Sequence, residues 1–240
     1  MTVSIGGATI AGGVNLGDYV PVVTGGLQLL LDAGNTSSYS GSGTTWNDIS
    51  GNGKNFSWTT TPSFTSAGTA SYFSTSNLTA NGPASNSFGV TNLSGYCVIV
   101  ACMVNTVQQC TSFVWDGTAG RGIFSHLTWS NDVVYWDQGG CCAPDTRTSV
   151  ASGGSTTWNI WGLNRLSSTN RSIYKNGTIL TTNTEVAADP GLTATPVVIN
   201  QIGASINWDA RLGVMMLYNR GLTDAEMMQN VTALRGRYGV

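Results

Sequence analysis

Residues 212–240 read LGVMMLYNRGLTDAEMMQNVTALRGRYGV. Leu212 to Tyr218 is an almost unbroken apolar run, too short for a core helix and suited to a strand buried on both faces. Asn219, Arg220 and Gly221 interrupt it. Thr223 and Glu226 then have capping-box spacing, with the hydroxyl able to accept from the Glu226 N–H while the carboxylate reaches back. A short helix should follow, with Met227, Val231 and Leu234 on one face. Arg235 and Arg237 lie near its C-terminal end, where the helix dipole favours cations. A core strand, a tight turn and a covering helix make this the closing unit of a sandwich.

The rest of the chain supplies strands for that sandwich. Runs over Leu27–Leu31, Phe56–Phe64, Ser71–Phe73, Tyr96–Val104 (YCVIVACMV), Ser112–Trp115, Leu127–Trp129, Val133–Trp136, Trp158–Arg165 and Val197–Ile202 are apolar or alternate. Gly122–Phe124 restarts a strand, and Asn131-Asp132 and Asn176-Gly177 read as hairpin tips. Leu78–Phe88 and Gln138–Gly154 read as loops. The expected fold is all-β, a two-sheet antiparallel sandwich over residues 25–240 with one short C-terminal helix. Residues 1–24 are expected to form an extended N-terminal arm punctuated by Gly6-Gly7 and Gly12-Gly13.

Composition narrows the function. Only 9% of the 240 residues are charged, against roughly 25% in ordinary domains, so the surface is neutral and rich in hydroxyls. A formal charge of -2 with two lysines, Lys54 and Lys175, argues against nucleic acid, whose binding rests largely on Lys/Arg–phosphate contacts. No run approaches the ~20 apolar residues of a membrane span. The N-terminus lacks a basic, then apolar, leader, so synthesis in a cytoplasm without export is expected. Cys97, Cys102, Cys110, Cys141 and Cys142 are expected as buried thiols, with the vicinal pair able to bond one of the other three in an oxidising medium.

Three motifs, in order, resemble the concanavalin A-like lectin/glucanase superfamily and most closely its laminin-G-like branch. The closing motif spans Gly213 to Glu226. The opening motif is carried by Asp32, Trp46, Asp48, Ser50, Gly51, Asn52 and Asn55, and the hairpin IYKNGTIL by Ile173 to Leu180. The resemblance implies a jelly-roll sandwich. It does not imply a function, because this fold hosts lectins, hydrolases and adhesion modules alike. The Gly-rich start SIGGATIAGGVNLGDYV is similar to that of structural proteins of tailed bacteriophages. This implies a virion protein, a capsid decoration or fibre component, docked on other virion subunits or a second copy through its arm. The turn before Trp46 is also similar to the sialidase Asp-box, but its aspartate position is Gly41, which excludes it.

Catalysis meets a shortage of acids. Glycoside hydrolysis takes two carboxyl groups flanking the scissile bond, and Glu185 and Glu226 are the only glutamates. An Asp132–Asp137 pair is the substitute considered, but neither residue sits in a catalytic motif. No catalytic residue is therefore assigned. Glycan recognition fits better, because aromatic platforms with a few oriented polar groups cluster between Trp115 and Asp137. The candidate ligand residues are Trp115, Asp116, Arg121, His126, Trp129, Asp132, Trp136 and Asp137, with Tyr135 among them. The alternative for the same aromatics is half-buried sheet packing. No cofactor is expected; calcium on the Asp48 turn is the one alternative.

Overall fold

The structure is a computed structural model that describes residues 3–5, 8–10, 20–90, 95–116, 122–201, 203 and 206–240. It is built from two eight-stranded antiparallel sheets and one C-terminal helix, as the strand pattern implies. The front sheet runs, edge to edge, through Arg147–Ala151, Val133–Gln138, Ile123–His126, Phe113–Trp115, Pro196–Ile199, Ala80–Ala84, Phe56–Trp58 and Thr45–Trp46. The back sheet runs through Thr178–Asn183, Asn170–Lys175, Asn159–Ser167, Tyr96–Val104, Ala210–Tyr218, Tyr72–Ser74 and Ser63–Thr65, with Leu27–Asp32 also paired to Ala210–Tyr218.

The central back strands are buried on both faces because two cores meet them. In Tyr96–Val104, Tyr96, Val98, Val100 and Cys102 face the inter-sheet core, while Cys97, Ile99 and Ala101 face the helix. Ala210–Tyr218 changes phase once. The register shifts between Leu212 and Val214, so Gly213 and Val214 both turn toward the helix and Met215 returns to the inter-sheet core. Gly213 is required there, since a Cβ would overlap the Tyr238 hydroxyl.

The helix Asp224–Tyr238 carries the expected capping box, with Glu226 N–H donating to Thr223 Oγ1 and Thr223 N–H to Glu226 Oε2. Met227, Val231 and Leu234 are buried against the back sheet. The opening motif meets the last turn of the helix through an ion pair: Arg237 donates to both oxygens of Asp32, at 2.6 and 2.8 Å. Asp48 accepts from the N–H groups of Leu30, Ser50 and Lys54 and from the Ser50 hydroxyl, so its carboxylate is spent on holding its own turn. Among the described residues, no three His, Cys, Asp or Glu side chains cluster as a metal site.

Three local expectations change. Ala80–Ala84 is a strand although ANGPA reads as a turn: Gly82 lets it pass under the Phe56 ring, and Pro83 sits where the register with Pro196–Ile199 shifts. Arg147–Ala151 is the front sheet's edge strand inside the segment read as a loop. Residues 127–129 turn rather than extend, with the Leu127 carbonyl accepting from the Trp208 indole. Residue Val23 is tied to the sandwich and its helix: its N–H donates to Asn230 Oδ1, and its carbonyl accepts from Tyr218. Of residues 1–19, Val3–Ile5 and Ala8–Ile10 pair with each other; the others lie outside the described residues.

Candidate functional site

On the front sheet's outer face, at its Arg147–Ala151 edge, lies an open cleft of about 530 Å³. Its position follows from strand alternation. Ile123, Ser125, Val134, Trp136, Gln138 and Thr148 are buried beneath the sheet, which leaves Phe124, His126, Tyr135, Asp137 and Arg147 on the opposite face. Register aligns them in rows: Phe124 opposite Asp137 opposite Arg147, and His126 opposite Tyr135 opposite Ser149. Trp129 and Asn131, on the turn between the two inner strands, close one end. Gly140, Cys141 and Cys142, on the loop before Arg147, form the other rim.

The polar groups of the cleft are ordered by Asp137. Arg147 grips it with two parallel hydrogen bonds, Nε–Oδ1 and Nη2–Oδ2, each 2.6 Å. His126 Nε2 lies 3.6 Å from Oδ2, and its Nδ1 bonds the Cys110 carbonyl, so the ring is held at both nitrogens. Burial by itself would raise the Asp137 pKa. The Arg147 and His126 interactions outweigh it and hold the carboxyl below the usual range. The same pairing raises Arg147. The Arg147 guanidinium also lies over the Tyr135 ring, 4.3 Å from its centroid. Trp129 meets the His126 ring edge-on at 4.9 Å, and Asn131 donates to the Tyr135 hydroxyl at 2.8 Å. Arg147 spends two of its five N–H donors on Asp137, so donors remain for a ligand.

The structure divides the sequence candidates. His126, Trp129 and Asp137 come together in the cleft, with Tyr135. Trp115 and Trp136 do not: both are buried in the inter-sheet core, edge-on to Tyr96 at 5.7 and 5.8 Å. Asp116 is buried away from the cleft and accepts from the Thr193 N–H. Asp132 accepts from the Ser152 and Ser155 hydroxyls at 2.7 and 3.1 Å, so it shares no site with Asp137. Arg121 lies outside the described residues. Arg147, Phe124, Asn131, Gly140, Cys141 and Cys142 were missed. Cys97, Cys102 and Cys110 are buried as expected, and burial pushes the Cys110 thiol up to about 12. Cys141 and Cys142 are exposed instead, because their loop runs at the surface from Val133–Gln138 to the edge strand Arg147–Ala151.

No protein-family model and no curated protein sequence matches the chain. Solved structures match by fold. The binding domain of Paraclostridial Mosquitocidal Protein 1 has a TM-score of 0.66 at 13% identity, covering 86% of this chain and 52% of that one. The botulinum neurotoxin serotype G binding domain has a TM-score of 0.64 at 12% identity, covering 85% and 50%. Trypanosoma rangeli sialidase has a TM-score of 0.60 at 16% identity, covering 91% of this chain and 34% of the enzyme. The chain thus spans about half the length of the toxin domains and about a third of the sialidase. At these identities the likeness establishes the sandwich fold alone.

Proposed function

We propose that the chain is a non-enzymatic binding module whose front-sheet cleft takes a carbohydrate. One observation carries the reading: Trp129, Tyr135 and His126 present aromatic surface beside the ordered Arg147–Asp137 pair in a single open cleft. Aromatic rings pack on the C–H faces of sugars, and fixed donors and acceptors orient the hydroxyls. Toxin binding domains of the same fold support a recognition role. Turnover has less support. Among the described residues, Asp137 is the one carboxylate lining the cleft and is paired to Arg147, while Glu226 caps the helix, so no two-carboxylate arrangement is assembled among them. The test is a glycan array with the recombinant domain, repeated with Trp129→Ala: a hit that survives the substitution rules out this location.

A second reading, display on a tailed-phage virion, is favoured by the N-terminal ladder. Val3–Ile5 and Ala8–Ile10 pair with each other and join neither sandwich sheet, as a separate docking element would. The laminin-G-like and phage-like motifs and the sparsely charged surface support it. On this reading the partners are other virion subunits or a second copy, and glycan recognition is what the displayed domain does. Peptide mapping of purified particles tests it, and absence of the chain from virions ends it.

A further inference from the structure

Cys141 and Cys142 are adjacent in sequence, exposed, and both line the cleft. The backbone turns sharply at the pair. Cys142 has φ +80, in the left-handed region that a β-carbon disfavours, and Gly139 and Gly140 before it have φ +71 and +139. The loop is tied at its far end, where the Thr146 and Arg147 N–H groups donate to the Ala143 carbonyl and the Ala143 N–H to Thr146 Oγ1. The two thiols therefore sit on a short turn anchored directly to Arg147, the residue that orders the cleft.

We propose that Cys141 and Cys142 form a reversible disulfide with each other, and that this bridge tunes ligand binding at the cleft they line. The ligand half of the proposal rests on the carbohydrate reading above; the bridge does not. A small disulfide such as oxidised glutathione serves as the oxidant. One cysteine thiolate attacks it, giving a mixed disulfide and releasing one thiol. The neighbouring thiolate then displaces the second, so two S–H bonds are lost, one S–S bond forms, and the oxidant takes up two electrons as two thiols. Consecutive Cα atoms are about 3.8 Å apart, below the roughly 4.4–6.8 Å usual for disulfides. The bridge is consequently strained and easily reduced, which suits a switch and not a structural staple. Cys97, Cys102 and Cys110 are excluded as partners by place, since all three are buried while the pair is at the surface. The hydrogen bond between the two thiols raises the Cys141 pKa, so closure should accelerate as pH rises. Once closed, the bridge replaces two separate thiols by a rigid apolar rim and preorganises it for a ligand lying against Trp129.

The experiment incubates the whole chain with oxidised and then reduced glutathione. Intact and peptide mass spectrometry should show loss of two hydrogens confined to the peptide holding Cys141 and Cys142, reversed on reduction and absent in Cys141→Ser and Cys142→Ser. In the same samples the Trp129 indole N–H resonance, assigned with Trp129→Phe, should shift between the two forms. A glycan that binds should bind about three- to tenfold tighter to the oxidised form. Stable mixed disulfides at both residues, a bridge to Cys97, Cys102 or Cys110, or an unmoved Trp129 resonance would each overturn the proposal. Equal glycan affinity in both forms overturns the tuning while leaving the cleft a glycan site. If no glycan binds either form, the carbohydrate reading fails, and the mass and resonance results still decide the bridge.

Discussion

Arg147 holds Asp137 by two hydrogen bonds of 2.6 Å, and that pair joins the outermost strand of the front sheet to its neighbour beneath an open cleft. The carboxylate is almost completely buried, and the guanidinium is a quarter exposed. Asp137→Asn should therefore cost about 1–3 kcal/mol, a range held down by solvent screening of Arg147. The pH dependence follows from the lowered Asp137 pKa. A carboxyl depressed in the folded state stabilises above its unfolded pKa, about 3.9, and that stability is lost as pH falls toward the lower folded value. Denaturant unfolding followed downward from about pH 6 through the unfolded value of about 3.9 should show a shallower acid slope in the variant than in the parent.

The helix cap gives a second acid-sensitive element. Arg220 and the Thr223 N–H hold Glu226 down to about 2. Its contribution is complete above the unfolded pKa of about 4.3 and fades as pH falls to about 2. Thr223→Ala should cost about 1 kcal/mol at neutral pH, read from the urea midpoint.

Glycines in the closing unit, and the one packed against its helix, should separate by what surrounds them. Gly213→Ala drives a methyl into the Tyr238 hydroxyl and should cost about 1–3 kcal/mol. Gly162→Ala meets the flexible end of Met227, 2.7 Å away, and should cost less. Gly236, inside the helix with nothing within 4 Å, should gain about 0.5–1 kcal/mol as alanine. Chemical denaturation of the three variants checks this order.

Much of the fold was legible because its signals were local. Thr223 and Glu226 announced the helix start, Asn176-Gly177 the hairpin, and YCVIVACMV a strand with no polar face; Asn176 and Gly177 indeed have φ +51 and +87. Ala80–Ala84 was illegible because its strand character comes from neighbours on both sides and not from ANGPA itself. In the candidate site, Trp136 and Asp137 are adjacent in one strand and so must face opposite ways, a parity that already separated core from cleft. Grouped by side-chain chemistry alone, the two residues look like parts of one site. Arg147 gave no local sign, since its place depends on an edge strand ten residues beyond Asp137 that only pairing defines.

The central claim is that this cleft binds a sugar through its aromatic rim. Its most direct test is titration calorimetry with the best glycan from an array, comparing the parent, Trp129→Ala and a Met228→Ala control on the exposed helix face. Loss of the Trp129 surface should weaken binding roughly ten- to a hundredfold, while the control stays unchanged. Binding that is indifferent to Trp129, or no binding to any glycan by well-folded protein, would contradict the account.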